Sequence, residues 1–285
     1  NHTVSLPVPA ADPVPLLQVQ NVTRSYQLPL SGVFSKPYIL RAVDNVSFTL
    51  HAGERLGLVG ESGCGKSTLT RAIMGLEQVQ AGTITLKGVP VWSGRQPNRA
   101  VRRNIQVVFQ DPYGSFNPRH TVARLITEPY HLLDKPPDAQ ERAQAVAEAL
   151  QAVGLSPKDA NKYSHEFSGG QRQRLAIARA LILRPDLIVF DEAVSALDVS
   201  VRAQILDLIA DLSSRFALSY LFISHDLSVV RCITDRVMVM RAGIIVEDGP
   251  TDQVLRQPRH AYTQSLLVAA PKLPALGVKA ASAIE

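Results

Sequence analysis

Arg55-Leu56-Gly57-Leu58-Val59-Gly60-Glu61-Ser62-Gly63-Cys64-Gly65-Lys66-Ser67-Thr68 runs from an apolar stretch through a glycine-rich turn to Lys-Ser-Thr. Gly60 to Ser67 fits G-x-x-x-x-G-K-S, a loop that cradles phosphates, and it stands where such a loop works. The strand-like Arg55 to Val59 precedes it and the helix-like Thr68 to Met74 follows. Glycines let the backbone wrap closely so that its N–H groups converge on phosphate, and the helix aims its positive end at the same point. Lys66 is expected to reach the β- and γ-phosphates of a nucleoside triphosphate. Ser67 is expected to offer its hydroxyl to Mg²⁺, a hard cation that takes oxygen ligands and keeps several waters. The expected contact set is Gly60, Glu61, Ser62, Gly63, Cys64, Gly65, Lys66, Ser67 and Thr68. A mere flexible turn is the ordinary alternative, and the strand–loop–helix context argues against it.

Working outward, apolar runs of strand length alternate with segments of helical period, the pattern of an α/β domain. Buried strands are expected at Arg55–Val59, Ile105–Phe109, Leu187–Asp191, Tyr220–Ser224 and Val237–Met240, with edge-like strands at Leu16–Thr23, Val46–Leu50 and Thr83–Leu86. Ala143, Val146, Ala147, Leu150 and Val153 share one helix face, as do Ile205, Leu208, Ile209 and Leu212; both read as core stripes. From Asp111 to Ser168 no strand pattern occurs, and Pro118, Pro129, Pro136, Pro137 and Pro157 divide the segment into short helical pieces. It reads as a helical insertion.

The run Leu187-Ile188-Val189-Phe190 ends in Asp191-Glu192, placing two carboxylates where open α/β sheets bind ligands. Asp191 is expected to hold Mg²⁺ through water, and Glu192 to orient and deprotonate the water that attacks the γ-phosphate. Adjacent strand residues point to opposite faces, so the pair can divide these roles. Solvated acids capping a strand would look the same in isolation. Ser168-Gly169-Gly170-Gln171 opens another helix; by itself, Ser-Gly-Gly there is an ordinary cap.

Taken in order, the phosphate loop, Gln110, Ser168-Gly169-Gly170-Gln171, Asp191-Glu192, Ser195-Ala196-Leu197-Asp198 and His225 closely resemble the ATP-binding-cassette (ABC) ATPases, from Leu16 to about Gly249. The resemblance implies an α/β P-loop NTPase with a mainly parallel core sheet, an antiparallel β subdomain and a helical subdomain inserted at about 112–168. It also implies that Tyr26 stacks on adenine, that Gln110 senses Mg²⁺ and the attacking water, and that His225 contacts the γ-phosphate. Glu192, His225 and Gln110 are thus the expected catalytic residues, with Ser67, Gln110 and Asp191 around the metal. Ser168, Gly169, Gly170, Gln171 and Asp198 are implied to close over nucleotide held by a second subunit, so that ATP closes a dimer and hydrolysis opens it. Phe167 stands where the family usually has Leu, a conservative apolar exchange.

Asp111-Pro112-Tyr113-Gly114-Ser115-Phe116-Asn117-Pro118-Arg119 and Gln257-Pro258-Arg259-His260-Ala261-Tyr262-Thr263-Gln264-Ser265-Leu266-Leu267 are similar to segments of the bacterial dipeptide, oligopeptide and nickel importers. This implies a domain over 14–256, an importer-type extension and tail over 257–285, and a peripheral place on the cytoplasmic face of the bacterial inner membrane. The implied partners are a second ATPase, as homodimer or heterodimer, two membrane-spanning permeases and, indirectly, an extracytoplasmic solute-binding protein. The first of the two segments is implied to lie where permeases dock. Members of this branch often bear C-terminal cysteines for an iron–sulfur cluster; this segment has none, and no cluster is expected. Pro29 to Tyr38 resembles an insertion of the same branch.

Bulk properties agree. The 285 residues, 46% hydrophobic, suffice for a full core without staples. Cys64 and Cys232 lack the spacing of a disulfide framework or zinc site. No stretch approaches the roughly 20 apolar residues of a membrane span. The first residues, with Pro7, Pro9 and Pro13, lack the features of a secretory signal and suggest a flexible arm over 1–13. Thirty Lys+Arg against 25 Asp+Glu give a net charge of +5, and the cluster of Arg95, Arg99, Arg102 and Arg103 has no interleaved aromatics. It reads as a solvated face, and no nucleic-acid partner is expected. The rival class, a soluble cassette acting on nucleic acid or the ribosome, typically carries long inserted coiled coils or two cassettes, and neither is present.

Overall fold

Alternation along a central strand organises the interior. Leu187 and Val189 enter one apolar cluster while Ile188 and Phe190 enter another, so this strand is covered on both faces. Each side chain fully buried this way is worth about 1.5–3 kcal/mol relative to exposure. The computed structural model describes residues 14–28 and 38–269. The expected arm over 1–13, nearly all of the Pro29–Tyr38 insertion and the tail from 270 lie outside the described residues.

The strands are β1 (Leu17–Leu28), β2 (Tyr38–Leu50), β3 (Arg55–Val59), β4 (Ala81–Leu86), the short β5 (Val89–Pro90), β6 (Trp92–Ser93) and β7 (Gln96–Pro97), then β8 (Ile105–Phe109), β9 (Leu187–Asp191), β10 (Ser219–Ser224), β11 (Arg236–Arg241) and β12 (Ile244–Pro250). The core sheet has the order β12-β11-β3-β10-β9-β8, parallel except for β12. A second, antiparallel sheet has the order β2-β1-β4-β5. One cluster, with Leu56, Leu58 and Val189, fills the space between the two sheets and includes Leu69, Ala72 and Ile73 of helix α1 (Lys66–Ile73). The other, with Val59, Ile188 and Phe190, packs the opposite face.

That opposite face is covered by helices. From Pro112 to Glu166 the backbone holds α3 (Pro112–Ser115), α4 (Val122–Ile126), α5 (Ala139–Ala152) and three 3₁₀ turns, with one isolated bridge between Thr121 and Tyr163. Before them comes the short α2 (Arg99–Arg102), and after them α6 (Gly169–Leu181), α7 (Val199–Phe216), α8 (Leu227–Ile233), α9 (Thr251–Arg256) and α10 (Ala261–Ala269). α5 begins where it does because Asp138 and Glu141 form a reciprocal capping box that satisfies two orphan N–H groups.

Three expectations need correction. β1 and β2 reach well beyond Leu16–Thr23 and Val46–Leu50: register shifts at Val19/Val22, Val22/Arg24 and Arg24/Ser25 break the alternation on which a strand reading depends. β12 had no expected counterpart. It is a half-exposed edge strand ending in Glu247-Asp248-Gly249-Pro250, so its pattern is not apolar. On α5 the buried stripe is Val146, Ala149 and Leu150; Ala143 is exposed, because only the C-terminal half of the helix lies on the core.

Parallel registry carries the function forward. Ser224 pairs with Val59, Ile223 with Asp191, and Phe109 with Asp191, so β3, β10, β9 and β8 end at one level. Gly60, His225, Glu192 and Gln110 therefore emerge together at the carboxyl edge of the sheet.

Candidate nucleotide site

The turn leaving β3 is built for glycine. A Cβ on Gly60 would lie 2.3 Å from the Met240 carbonyl oxygen and 2.7 Å from Cys64 Sγ, and Gly65 has φ +110° with a Cβ position 2.0 Å from the Ala42 carbonyl oxygen. Neither tolerates a side chain. Lys66, 6% exposed, folds back over the loop and donates to the carbonyl oxygens of Gly60 at 2.7 Å and Glu61 at 2.9 Å. Its ammonium is thus held at the mouth of the nest. The loop floors a cavity of about 680 Å³. Of the nine expected loop residues, all but Cys64 line it; Cys64 is buried behind the loop, with Sγ 3.7 Å from Lys66 Nζ.

Asp191, Glu192, Gln110 and His225 line the same cavity, which brings the two carboxylates to the phosphate loop. Glu192 does not continue the strand. Its φ of +53° is a left-handed conformation uncommon for a non-glycine residue, pinned by a bond from its N–H to the Ile223 carbonyl and by the Ser195 N–H and hydroxyl on its own carbonyl oxygen. That turn, and not strand alternation, separates the pair and sends the Glu192 carboxylate to His225 Nδ1 at 2.9 Å. Burial pushes the Asp191 carboxyl up, and the neighbouring Glu192 adds to this, while Lys66 and Arg71 oppose it. A cation bound there would offset that penalty. Among the described residues no three His, Cys, Asp or Glu side chains converge on one point; an ion in this cavity would find the Ser67 hydroxyl, the Gln110 amide and the Asp191 carboxylate, with water and phosphate oxygens to fill its shell. That donor set fits Mg²⁺.

Tyr26 forms part of the wall, anchored by its hydroxyl donating to Glu77 at 2.6 Å. Glu77 also receives Arg24 and Arg71. Burial alone would raise the Glu77 carboxyl, but hydrogen bonds from Tyr26, Arg71 and Arg24 hold it below its ordinary value. Sequence reading missed this anchor, as it missed Leu40, Ala42 and Leu266 in the cavity wall. β2 and α10 bring those three in from distant segments.

The remaining expected residues are not brought to the cavity. Ser168 caps α6: its hydroxyl accepts the Gln171 N–H at 3.3 Å, and the Gln171 side chain accepts the Ser168 N–H at 3.0 Å. Ser168, Gly169 and Gln171 are exposed. Asp198, also exposed, caps α7 through the Val201 N–H at 2.9 Å. The two helix starts touch, since a Cβ on Gly170 would meet Val201 Cγ1 at 2.4 Å. Arg202 joins this region to the strand ends, bonding to the Leu197 carbonyl oxygen and to Asp226, the neighbour of His225.

Comparison with known proteins follows the same outline. A family model described as ABC transporter matches residues 43–195. The chain is 47% identical over 260 residues to the dipeptide transport ATP-binding protein DppF of Haemophilus influenzae, covering 91% of this chain and 79% of that protein. It is 48% identical over 265 residues to the oligopeptide transport ATP-binding protein AppF of Bacillus subtilis, covering 92% and 80%. A dimeric post-hydrolysis structure of the ATP-binding cassette MJ0796 with ADP and Pi superposes with a TM-score of 0.69 at 25% identity, over 82% of this chain and 98% of that one. The chain belongs to the ABC transporter family, as one of its ATP-binding, ATP-hydrolysing cassettes.

Proposed function

We propose that this cassette is the motor of a solute importer, working as one of a pair whose two nucleotide sites are each completed by the partner. One observation carries the reading: the phosphate loop, Asp191, Glu192 and His225 share a cavity, while the Ser168–Gln171 helix start lies outside it, exposed. A helix start carries partial positive charge and suits phosphate, and the second cassette's nucleotide is the phosphate this one would meet.

Within one site, Gly60 to Thr68 and Lys66 bind the phosphates and the Tyr26 ring supports adenine. Ser67 and Asp191, with Gln110 beside them, would hold Mg²⁺, which would neutralise charge on the phosphate oxygens. Glu192 takes a proton from water as its oxygen attacks the γ-phosphorus, and the bond to the bridging oxygen of ADP breaks, giving ADP and phosphate. His225, holding Glu192 through Nδ1, leaves its other nitrogen for the γ-phosphate. Closure is favoured only while ATP spans both helix starts, so hydrolysis reopens the pair. The partner ATPase is either a second copy or a related chain.

The transport assignment draws on relatives named for dipeptide and oligopeptide transport and on the segments Asp111–Arg119 and Gln257–Leu267. Peptides are the proposed cargo class, with nickel or metal chelates as the second reading. The cassette would sit peripherally on the cytoplasmic face, bound to two permeases that a solute-binding protein supplies from outside. No helix among the described residues is long and apolar enough to cross a membrane. Asn117 and Pro118, both exposed, are the proposed permease contact. Replacing both by Ala in a transporter reconstituted in liposomes should abolish uptake of a dipeptide while the isolated cassette still hydrolyses ATP. Undiminished uptake would remove that contact from the scheme.

A further inference from the structure

The C-terminal helix reaches into the phosphate loop. Tyr262 of α10 lies 201 residues beyond Glu61, yet its phenolic oxygen accepts the Glu61 backbone N–H at 3.1 Å. The Glu61 carbonyl oxygen accepts Lys66 Nζ at 2.9 Å, so both backbone groups of this loop residue are engaged. Tyr262 is itself held. It is 7% exposed, its ring lies 4.9 Å below the Arg241 guanidinium, and its N–H donates to His260 Nδ1 at 3.1 Å. The start of α10 is fixed by the Glu247 carboxylate, which accepts the N–H groups of Arg259 at 2.8 Å and His260 at 3.1 Å. One turn further on, Leu266 forms part of the cavity wall.

A glycine-rich loop loses conformational freedom when it closes on phosphate, and a loop already fixed in shape loses less. We infer that Tyr262 is a positioning residue for the phosphate loop: α10 holds the Glu61 backbone in the shape that receives phosphates, and so sets part of the affinity for ATP and ADP. The inference rests on reading the cavity as the nucleotide site. It makes the C-terminal extension part of that site, with the Arg259–Tyr262 turn as the element through which a change in the extension would alter nucleotide affinity.

Tyr262→Phe keeps the ring, its burial and the Arg241 contact and removes only the hydroxyl. Val268→Ala, 86% exposed on the same helix, is the control. Calorimetric titration of the full chain with ATP and with ADP should give a Kd about three- to tenfold higher in Tyr262→Phe, the weight of one hydrogen bond. The KM for ATP should rise alike while kcat stays at the wild-type value, a split that general loosening of the fold would not produce. An unchanged Kd and KM in Tyr262→Phe, or an equal loss in Val268→Ala, would overturn the inference. Failure of the wild-type chain to bind ATP would instead overturn the nucleotide site, and the inference with it.

Discussion

Gly170→Ala sets two opposing effects against each other. In a helix, Ala is favoured over Gly by up to about 1 kcal/mol, and less than that in the first turn, where Gly170 lies. Against this, the new methyl would stand 2.4 Å from Val201 Cγ1, well inside contact distance. Val201 is β-branched and sits in the first turn of α7, so its χ1 is largely fixed and the helices must separate. Overpacking of this kind costs about 1–3 kcal/mol, so the net expectation is a loss of about 1–2 kcal/mol. For a chain of this size that lowers Tm by roughly 2–8 °C. Val201→Ala removes the obstructing methyl, and in the double mutant most of the Gly170→Ala cost should vanish. A coupling of about 1 kcal/mol or more is therefore predicted from a double-mutant cycle. Melting followed by circular dichroism supplies the stabilities, and ATP turnover at saturation shows whether displacing the α6 start disturbs catalysis. A Gly170→Ala protein as stable as wild type, or strictly additive effects, would refute the claim that these helix starts are locked together.

Two further outcomes are expected. Gly65→Ala forces a side chain onto φ +110° and into the Ala42 carbonyl, so Kd for ATP should rise at least about tenfold, the equivalent of about 1.4 kcal/mol, in calorimetric titration. Glu77 is held below its ordinary value of 4.5 in the folded chain, so its contribution is present above that pH and is lost as pH falls through the lower folded value. The Tm advantage of wild type over Glu77→Gln should accordingly be constant near neutrality and shrink between about pH 5 and pH 3; an advantage that grew on acidification would be contrary to the Tyr26 anchor.

What the sequence revealed follows how local each signal is. The phosphate loop is a short pattern whose glycines answer to backbone contacts, and it was legible residue by residue, though Cys64 proved to support the loop from behind. The strand before Asp191 was legible because burial on both faces demands an unbroken apolar run. The left-handed turn at Glu192 was not, since it depends on bonds to Ile223 and Ser195 that only the folded sheet brings together. Gln110 and His225 entered through family resemblance, because one polar residue after a strand has no pattern of its own. Tyr262, Leu266 and Glu77 stayed invisible: Glu77 anchors Tyr26 from 51 residues away, Tyr262 meets Glu61 from 201 residues away, and Leu266 belongs to a wall formed late in the chain. The long β1–β2 ribbon escaped because bulges reset its period.

Glu192→Gln provides the most direct test of the two-cassette site, since it should retain ATP while losing the base that triggers hydrolysis. Light scattering would give the molar mass of this variant with and without saturating ATP, alone and mixed with the second ATPase of its transporter. ATP should convert the 31.0 kDa chain into a two-cassette species in at least one of the two samples. Tight ATP binding with no change of mass in either sample would contradict the account.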